Sequence, residues 1–328
     1  MENVYTFVLP PELIAQEPAY PRDHARLLVY RRSTGELVDD HFYNLGNYLS
    51  LETLVVANNS KVKSCRYLFD DGKTEIFAVE SMNDRTVRAM VRPGKKFRLA
   101  MRGDLGDGLE YMVTADYNDG LRTINFNTTL DDPRLIRASH IPLPPYIKQD
   151  DSLASEYQTI YAKRQGSLAA PTAGLHFTPE LKSEIEAKFG WAEIELEVGL
   201  GTFASLSEEN FTSGKLHSEN YRVDPDSYAR IAESEHITAV GTTTLRTLES
   251  VFRESNPRLV GATDIFITPG YSFKRVDTLL TNFHLPSTSL LLLVEAFIGS
   301  RVELDTIYRH AISEKYRFYS FGDAMLIL

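Results

Sequence analysis

The segment GSLAAPTAGLHFTPE, residues 166–180, sets one histidine behind a run of Ala, Gly and Pro and just ahead of a Thr-Pro pair. An imidazole titrates near neutrality and can give or take a proton there. Thr178 reads as a helix N-cap and Pro179 as the first helical residue, because proline lacks an N–H that the first turn could not satisfy anyway. His176 therefore lies ahead of a helix N-terminus, where free N–H groups attract anions and small residues let a ligand approach the main chain. TNFHLPSTS, residues 281–289, repeats the arrangement with His284, a proline, and Ser287 or Thr288 as the cap. In ITAVGTTTLRTLES, residues 237–250, an apolar strand runs into Gly241, and Thr242 or Thr243 can cap the next helix. Arg246, one turn inside, can hold an anion with two parallel N–H groups. Such a turn suits a carboxylate or ribose oxygens. YRFYSFGDAMLIL, residues 316–328, crowds four aromatics, an arginine and Asp323 before a terminal apolar strand.

Several other chemistries find no support. EVGLGTF has Gly199 and Gly201 but lacks the third glycine and the helix of a dinucleotide fingerprint, and there is no G-x-x-x-x-G-K-[ST] loop. Neither NAD nor ATP is indicated. The pair His217 and Glu219 is too short a signal for a metal site, and no Gly-x-Ser-x-Gly elbow marks a hydrolase. Cys65 is the single cysteine, which excludes an internal disulfide framework and suits a reducing cytosol. The N-terminal stretch has no basic region followed by an apolar one, so a cytoplasmic location is expected. LLLLVEAFIG from Leu290 is interrupted by Glu295 and falls short of the ~20 residues of a membrane span. It reads as a buried helix.

The elements that must position these groups change character along the chain. From KVKSCRYLF to LRTINFN, short alternating runs (TEIFAVES, RTVRAMV, KKFRLAM, YMVTADY) are broken by Gly, Asp and Asn turns, which predicts a small antiparallel β domain. IPLPPYI then forces an extended connection. Beyond it, strand and helix patterns alternate: AEIELEVGLGTF, PDSYARIAESE, ITAVGTTT and LRTLESVFRE. Near the N-terminus, LETLVVANNS is a buried strand ending in a polar turn. The expected architecture is mixed α/β: one α/β domain made from both chain ends, residues 1–61 and 149–328, with a β domain inserted at 62–148.

The net charge of −10 argues at first against a nucleic-acid partner, but its distribution matters more than its sum. Between Arg85 and Gly103 there are seven basic residues and no acidic one. Either a solvated strand face or a phosphate-binding surface has this look.

Together these segments resemble the S-adenosylmethionine:tRNA ribosyltransferase-isomerase family of queuosine synthesis. LPPELIAQEP, NNSKV, LPPYI, YQTIYAKRQGSLAAPTAGLHFTPEL, VGLGTF, HSENYRV, AVGTTTLRTLES, TDIFITPGYSFKRVDTLLTNFHLPSTSLLLLVEAF and YRFYSFGDAMLI carry the likeness from end to end. The sequence departs at Lys63-Ser64, where members carry an apolar residue and proline. The resemblance implies a barrel-like α/β domain with an inserted antiparallel β-barrel. It also implies transfer of the ribosyl part of S-adenosylmethionine to 7-aminomethyl-7-deazaguanine in tRNA, giving epoxyqueuosine-tRNA, adenine and methionine. S-adenosylmethionine is then a co-substrate, with no permanently bound cofactor, no metal and no membrane partner, and the protein is expected to be a monomer. A sulfonium acidifies the adjacent C5′ hydrogen, so the reaction needs a base and, as adenine leaves, an acid. His176, His217, His284 and Asp323 are the catalytic candidates. Glu219, Asp264 and Tyr271 could face the sulfonium. Gly241, Thr242, Thr243 and Arg246 would suit the methionine carboxylate. Arg92, Lys95 and Lys96 are the candidate tRNA contacts. The alternatives are a non-catalytic RNA-binding protein and a methyltransferase, which would leave S-adenosylhomocysteine.

Overall fold

A computed structural model describes residues 7–328 apart from 118–119, 149, 200, 202–205 and 287. The chain divides into two compact units, Met1–Lys61 with Pro144–Gln149 and Ser155–Leu328, and Val62–Leu143 with Asp150–Ala154.

The larger unit is built on a nine-stranded mixed sheet in the spatial order Val260–Ile265, Lys215–Val223, Trp191–Leu196, Thr53–Asn58, His236–Val240, Thr278–Asn282, Ala324–Ile327, Arg26–Arg31 and Glu36–His41. The four strands from Trp191–Leu196 to Thr278–Asn282 are mutually parallel. A parallel strand covered on both faces must be apolar throughout, and Thr53–Asn58 (TLVVAN) is buried at all six positions. Alternate side chains feed opposite cores. Leu54, Val56, Ile237 and Ala239 pack with Leu245, Leu248 and Val251 of helix Thr242–Phe252 and with Leu291–Ile298 of helix Ser289–Ile298. Val55, Ala57 and Val240 face the other way, onto Phe42, Phe177 and the i, i+4, i+8 stripe Leu181, Ile185 and Phe189 of helix Pro179–Phe189.

The predicted helix starts hold at Thr178, whose hydroxyl accepts from Leu181 N, and at Thr288, which accepts from Leu291 N. Ser287, the other cap candidate, lies outside the described residues. The Leu290 run is a buried helix, and no helix among the described residues is long and apolar enough to cross a membrane. Two boundaries differ from the expectation. The strand beginning at His236 stops at Val240, and Gly241, at φ +88°, turns the chain straight into the helix. Thr242 and Thr243 are thus helical residues rather than caps; Gly241 is the N-cap, and no side chain caps that helix.

The smaller unit is a seven-stranded antiparallel sheet ordered Ser139–His140, Arg66–Phe69, Thr74–Ser81, Thr86–Arg92, Arg122–Phe126, Leu109–Asp116 and Arg102–Gly106. The run KKFRLAM is not a strand. Pro93 and Gly94 open a tight turn, Gly94–Lys96, that carries Phe97 inward against Tyr111, ring centroids 4.6 Å apart. Among the described residues no pairing joins the edge strands of either sheet.

Candidate active site

The four parallel strands finish on one edge of the sheet, at Leu196, Asn58, Val240 and Asn282. Parallel α/β sheets bind ligands at this edge, because the loops leaving the strands gather there. The segment Ser167–His176 is laid across it. Leu168 N donates to Val198 O at 2.8 Å, and Val198 N donates to Ser167 Oγ at 3.0 Å. Ser167 Oγ lies 2.8 Å from Ser60 Oγ. A Cβ placed on Gly241 would be 3.7 Å from Ala173 Cβ, and one on Gly174 would fall 1.9 Å from the Tyr161 hydroxyl. Ala169, Ala170 and Ala173 are buried. The small residues are what let this segment lie so close to the strand ends.

His176 ends the crossing. It is 4% exposed, its ring lies 5.0 Å from Phe42, and its Nε2 is 3.2 Å from Asn282 Nδ2. Burial lowers its pKa to about 4; the Asp323 carboxylate opposes that shift, while Arg317 and Arg22 add to it. The ring is neutral at pH 7.

Beside Ala173, the turn at Gly241 leaves the first-turn N–H groups of its helix without a side-chain cap. Arg246, one turn on, has a side chain only 8% exposed, and its Nη1 is ion-paired with Glu219 Oε2. The other carboxylate oxygen of Glu219 accepts from Gly199 N at 3.0 Å. Arg246 Nε and Nη2 are buried with no hydrogen-bond partner among the described residues. These two N–H groups form the side-on edge of the guanidinium, the geometry that takes a carboxylate in two parallel hydrogen bonds. Asn58, fully buried, ties the turn to its neighbours: Nδ2 donates to Leu196 O at 3.1 Å and to Thr243 Oγ1 at 3.4 Å.

The remaining candidates divide. Asp323 lies at the same edge, next to the Asn282↔Ala324 pair, but its carboxylate is already held by Arg26 N at 3.1 Å, Arg317 N at 2.8 Å and the Arg317 side chain at 2.9 Å. His284 follows Asn282; its N–H donates to Tyr308 Oη and its Nε2 is 2.9 Å from Thr281 Oγ1, with desolvation lowering its pKa to about 4. His217 is exposed and packs over Gly201. Asp264 and Thr263 are strand neighbours on opposite faces: Thr263 is buried against Ser250, whereas Asp264 pairs with exposed Lys215 at 2.7 Å. Tyr271 donates to Glu249 at 3.1 Å. Glu249 itself is a buried carboxylate saturated by the N–H groups of Lys274, Arg275 and Val276. His176, Gly241, Thr242, Thr243, Arg246, Glu219 and Asp323 thus line the strand ends; Asp264 does not, and Tyr271 is committed to Glu249.

Asn58 and Asn282 were not flagged by sequence reasoning. Both close an otherwise apolar strand, VVAN and LLTN, and a buried amide there must find partners across the sheet edge. That pattern is the signal that could have found them.

In the smaller unit, Arg92 pairs with Glu75 at 3.0 Å, and Lys96 with Asp70 at 3.1 Å and Thr74 Oγ1 at 2.8 Å. Lys95 is exposed on the intervening turn. Among the described residues no group of three or more His, Cys, Asp or Glu could hold a metal ion.

A family model described as queuosine biosynthesis protein matches residues 2–327. The S-adenosylmethionine:tRNA ribosyltransferase-isomerase of Thermotoga maritima is 43% identical over 99% of this chain and 98% of its own length. The proteins of the same name from Moorella thermoacetica and Solibacter usitatus are 44% and 42% identical, again over 99% of this chain and 98% and 99% of theirs. The crystal structure of S-adenosylmethionine tRNA ribosyltransferase from Thermotoga maritima is similar with a TM-score of 0.57 at 36% identity, covering 98% of this chain and 99% of that one.

Proposed function

The chain belongs to the S-adenosylmethionine:tRNA ribosyltransferase-isomerases of queuosine biosynthesis, and from that premise we propose that it performs its reaction at the C-terminal edge of the four parallel strands. The ribosyl part of S-adenosylmethionine passes to 7-aminomethyl-7-deazaguanine in tRNA, yielding epoxyqueuosine-tRNA, adenine and methionine. The single observation that carries the placement is the buried Nε/Nη2 edge of Arg246, without a hydrogen-bond partner among the described residues, beside a helix start with no side-chain cap.

The amino-acid end of S-adenosylmethionine is a zwitterion. Its carboxylate is complementary to the Arg246 edge and the Thr242–Thr244 N–H groups, and its ammonium to Glu219, so the ion pair is matched by a second one of opposite sense. Ala173 and Gly241 lie against each other in the turn that receives it. His176 contributes to the chemistry at the departing adenine, and Phe42 over its ring keeps that chemistry out of bulk water. Asp323 acts by position: held by Arg317 and Arg26, it anchors the chain next to Asn282. The smaller unit, with Arg92, Lys95 and Lys96, contributes contacts to the tRNA backbone.

Incubation with S-adenosylmethionine and tRNA carrying the deazaguanine precursor, followed by mass spectrometry of the released small molecules, tests the reading. Adenine and methionine in equal amounts with epoxyqueuosine-tRNA are expected. S-adenosylhomocysteine and a methylated RNA would replace it with a methyltransferase. RNA binding without turnover would leave only a binding protein.

A further inference from the structure

Building on the reading of His176 as part of the reaction site, we propose that Asn282 is a positioning residue: it fixes the ring proton of His176 on Nδ1, so that His176 serves as a neutral N–H donor and not as the base. Asn282 closes strand Thr278–Asn282 and is 2% exposed. Its Nδ2 lies 3.2 Å from the Tyr319 carbonyl oxygen and 3.2 Å from His176 Nε2. A carbonyl oxygen only accepts, so Tyr319 determines which end of the amide is the NH₂. One of its hydrogens goes to Tyr319, and the other points at Nε2, which must answer with a lone pair. A neutral imidazole with its lone pair on Nε2 carries its hydrogen on Nδ1. The opposite tautomer would set one N–H against another.

The charges around the ring agree with a neutral donor. Asp323 favours imidazolium, but it is shared with Arg317; Arg317 and Arg22 oppose it, as does burial. With Nε2 engaged by Asn282, the ring has no lone pair left to accept the C5′ proton. What remains is Nδ1–H, which has no hydrogen-bond partner among the described residues. A neutral imidazole N–H stabilises the negative charge developing on the departing adenine by hydrogen bonding, with no transfer of its proton, and the leaving adenine anion takes the proton that completes it from water. The base that removes the C5′ proton is then a different group.

Nuclear magnetic resonance of the full chain with ¹⁵N-labelled histidine reads the tautomer directly, with His176 assigned by its loss in His176→Gln. At pH 7 the wild-type ring should show a protonated Nδ1 and an unprotonated Nε2. In Asn282→Ala the ring should move toward the Nε2–H form, with kcat reduced about tenfold or more and KM for tRNA little changed. In Asn282→Asp a carboxylate beside Nε2 favours imidazolium, so the His176 titration midpoint should rise from about 4 to above its ordinary 6.5, and the matching inflection in kcat should move with it. A wild-type ring protonated on Nε2, or an Asn282→Asp midpoint unchanged from wild type, overturns the proposal. The wild-type tautomer needs no folded variant and no turnover, so it is separable from the site reading, which fails instead if His176→Gln turns over normally.

Discussion

The edge of the nine-stranded sheet and the basic stretch from Arg85 to Gly103 present polar groups under opposite conditions. At the edge, His176, Arg246 and Asn282 are nearly inaccessible, yet Arg246 keeps two N–H groups and Asn282 one carbonyl oxygen without partners among the described residues. In the basic stretch, Arg92 and Lys96 are well exposed, yet each has a carboxylate beside it. A buried polar group without a partner costs about 1–3 kcal/mol, whereas an exposed ion pair contributes ~0–1 kcal/mol. The first region therefore holds donors that a ligand can satisfy with a large gain, and the second holds charges that a polyanion can redirect with little loss. Substitutions should separate the two by size of effect and by what they change.

The largest effect belongs to His176. His176→Ala should reduce turnover by about 10²- to 10³-fold, the range for loss of one positioned hydrogen-bond donor to developing negative charge. The imidazole also packs on Phe42, so some loss of stability is expected, and His176→Gln, closer in volume, isolates the chemistry. Single-turnover assays with circular dichroism check it; a folded variant with normal turnover would make the residue structural.

Arg246 comes next. Arg246→Gln should weaken S-adenosylmethionine binding about ten- to a hundredfold, through loss of charge-assisted hydrogen bonds of ~1.5–3 kcal/mol, and leave tRNA affinity unchanged. It also removes the guanidinium from a buried ion pair whose other member, Glu219, is 4% exposed, and breaking such a pair from one side destabilises by about 3–5 kcal/mol. Adding Glu219→Gln should restore the unfolding midpoint without restoring cofactor affinity. Calorimetry and denaturant melts on the wild type and the two variants distinguish binding from folding, and restored affinity in the double variant would remove Arg246 from the site.

How much of this was legible in the sequence follows the same division. Local rules placed what local chemistry decides: Thr178 and Thr288 as caps, the apolar Thr53–Asn58 strand, and the buried helix at Ser289–Ile298. Where a single backbone conformation overrode pattern, the reading slipped. Gly241 at positive φ ended a strand four residues early, and Pro93-Gly94 turned a strand-like run into a loop. Pairings across the fold were out of reach. Glu219 and Arg246 are 27 residues apart, and His176 and Asn282 are 106 apart; spacing alone says nothing of such contacts. For the same reason Tyr271 and Asp264 could not be told from Glu219 until Glu249 and Lys215 were seen to engage them.

The neutral state of His176 gives a third test, in stability rather than rate. Its folded pKa, about 4, lies below the ~6.5 of an unfolded chain, so between these values the unfolded state binds a proton that the folded state does not. Stability is therefore fully present above pH 6.5 and is lost as pH falls toward 4, by roughly 3 kcal/mol for a shift of this size. His284 shifts in the same direction. Urea melts at pH 7, 5.5 and 4.5 should show a smaller decline in His176→Gln than in wild type. Parallel declines would mean that the ring is protonated in the fold.

The smallest effect is expected where exposure is greatest. Replacing Arg92, Lys95 and Lys96 together with Ala should raise the dissociation constant for tRNA and flatten its salt dependence, since every phosphate left without its cation takes about 0.7–0.9 from the slope of log K against log salt. Arg92 and Lys96 must turn from Glu75 and Asp70 to reach a phosphate, so part of what each gains there is offset by the pair it leaves. Lys95 has no such competitor among the described residues, and the single Lys95→Ala should account for more of the change than either neighbour. Glu75 is also bonded to Arg66 at 2.8 Å, so it stays paired when Arg92 leaves, which makes Arg92 the easier of the two to redirect. Turnover of the bound complex should survive the triple substitution, because none of the three residues belongs to the unit that holds Arg246 and His176. A triple variant with wild-type affinity and salt slope would identify the stretch as a solvated face whose cations serve their own carboxylates, and would leave tRNA recognition to the larger unit despite a net charge of −10 over the whole chain.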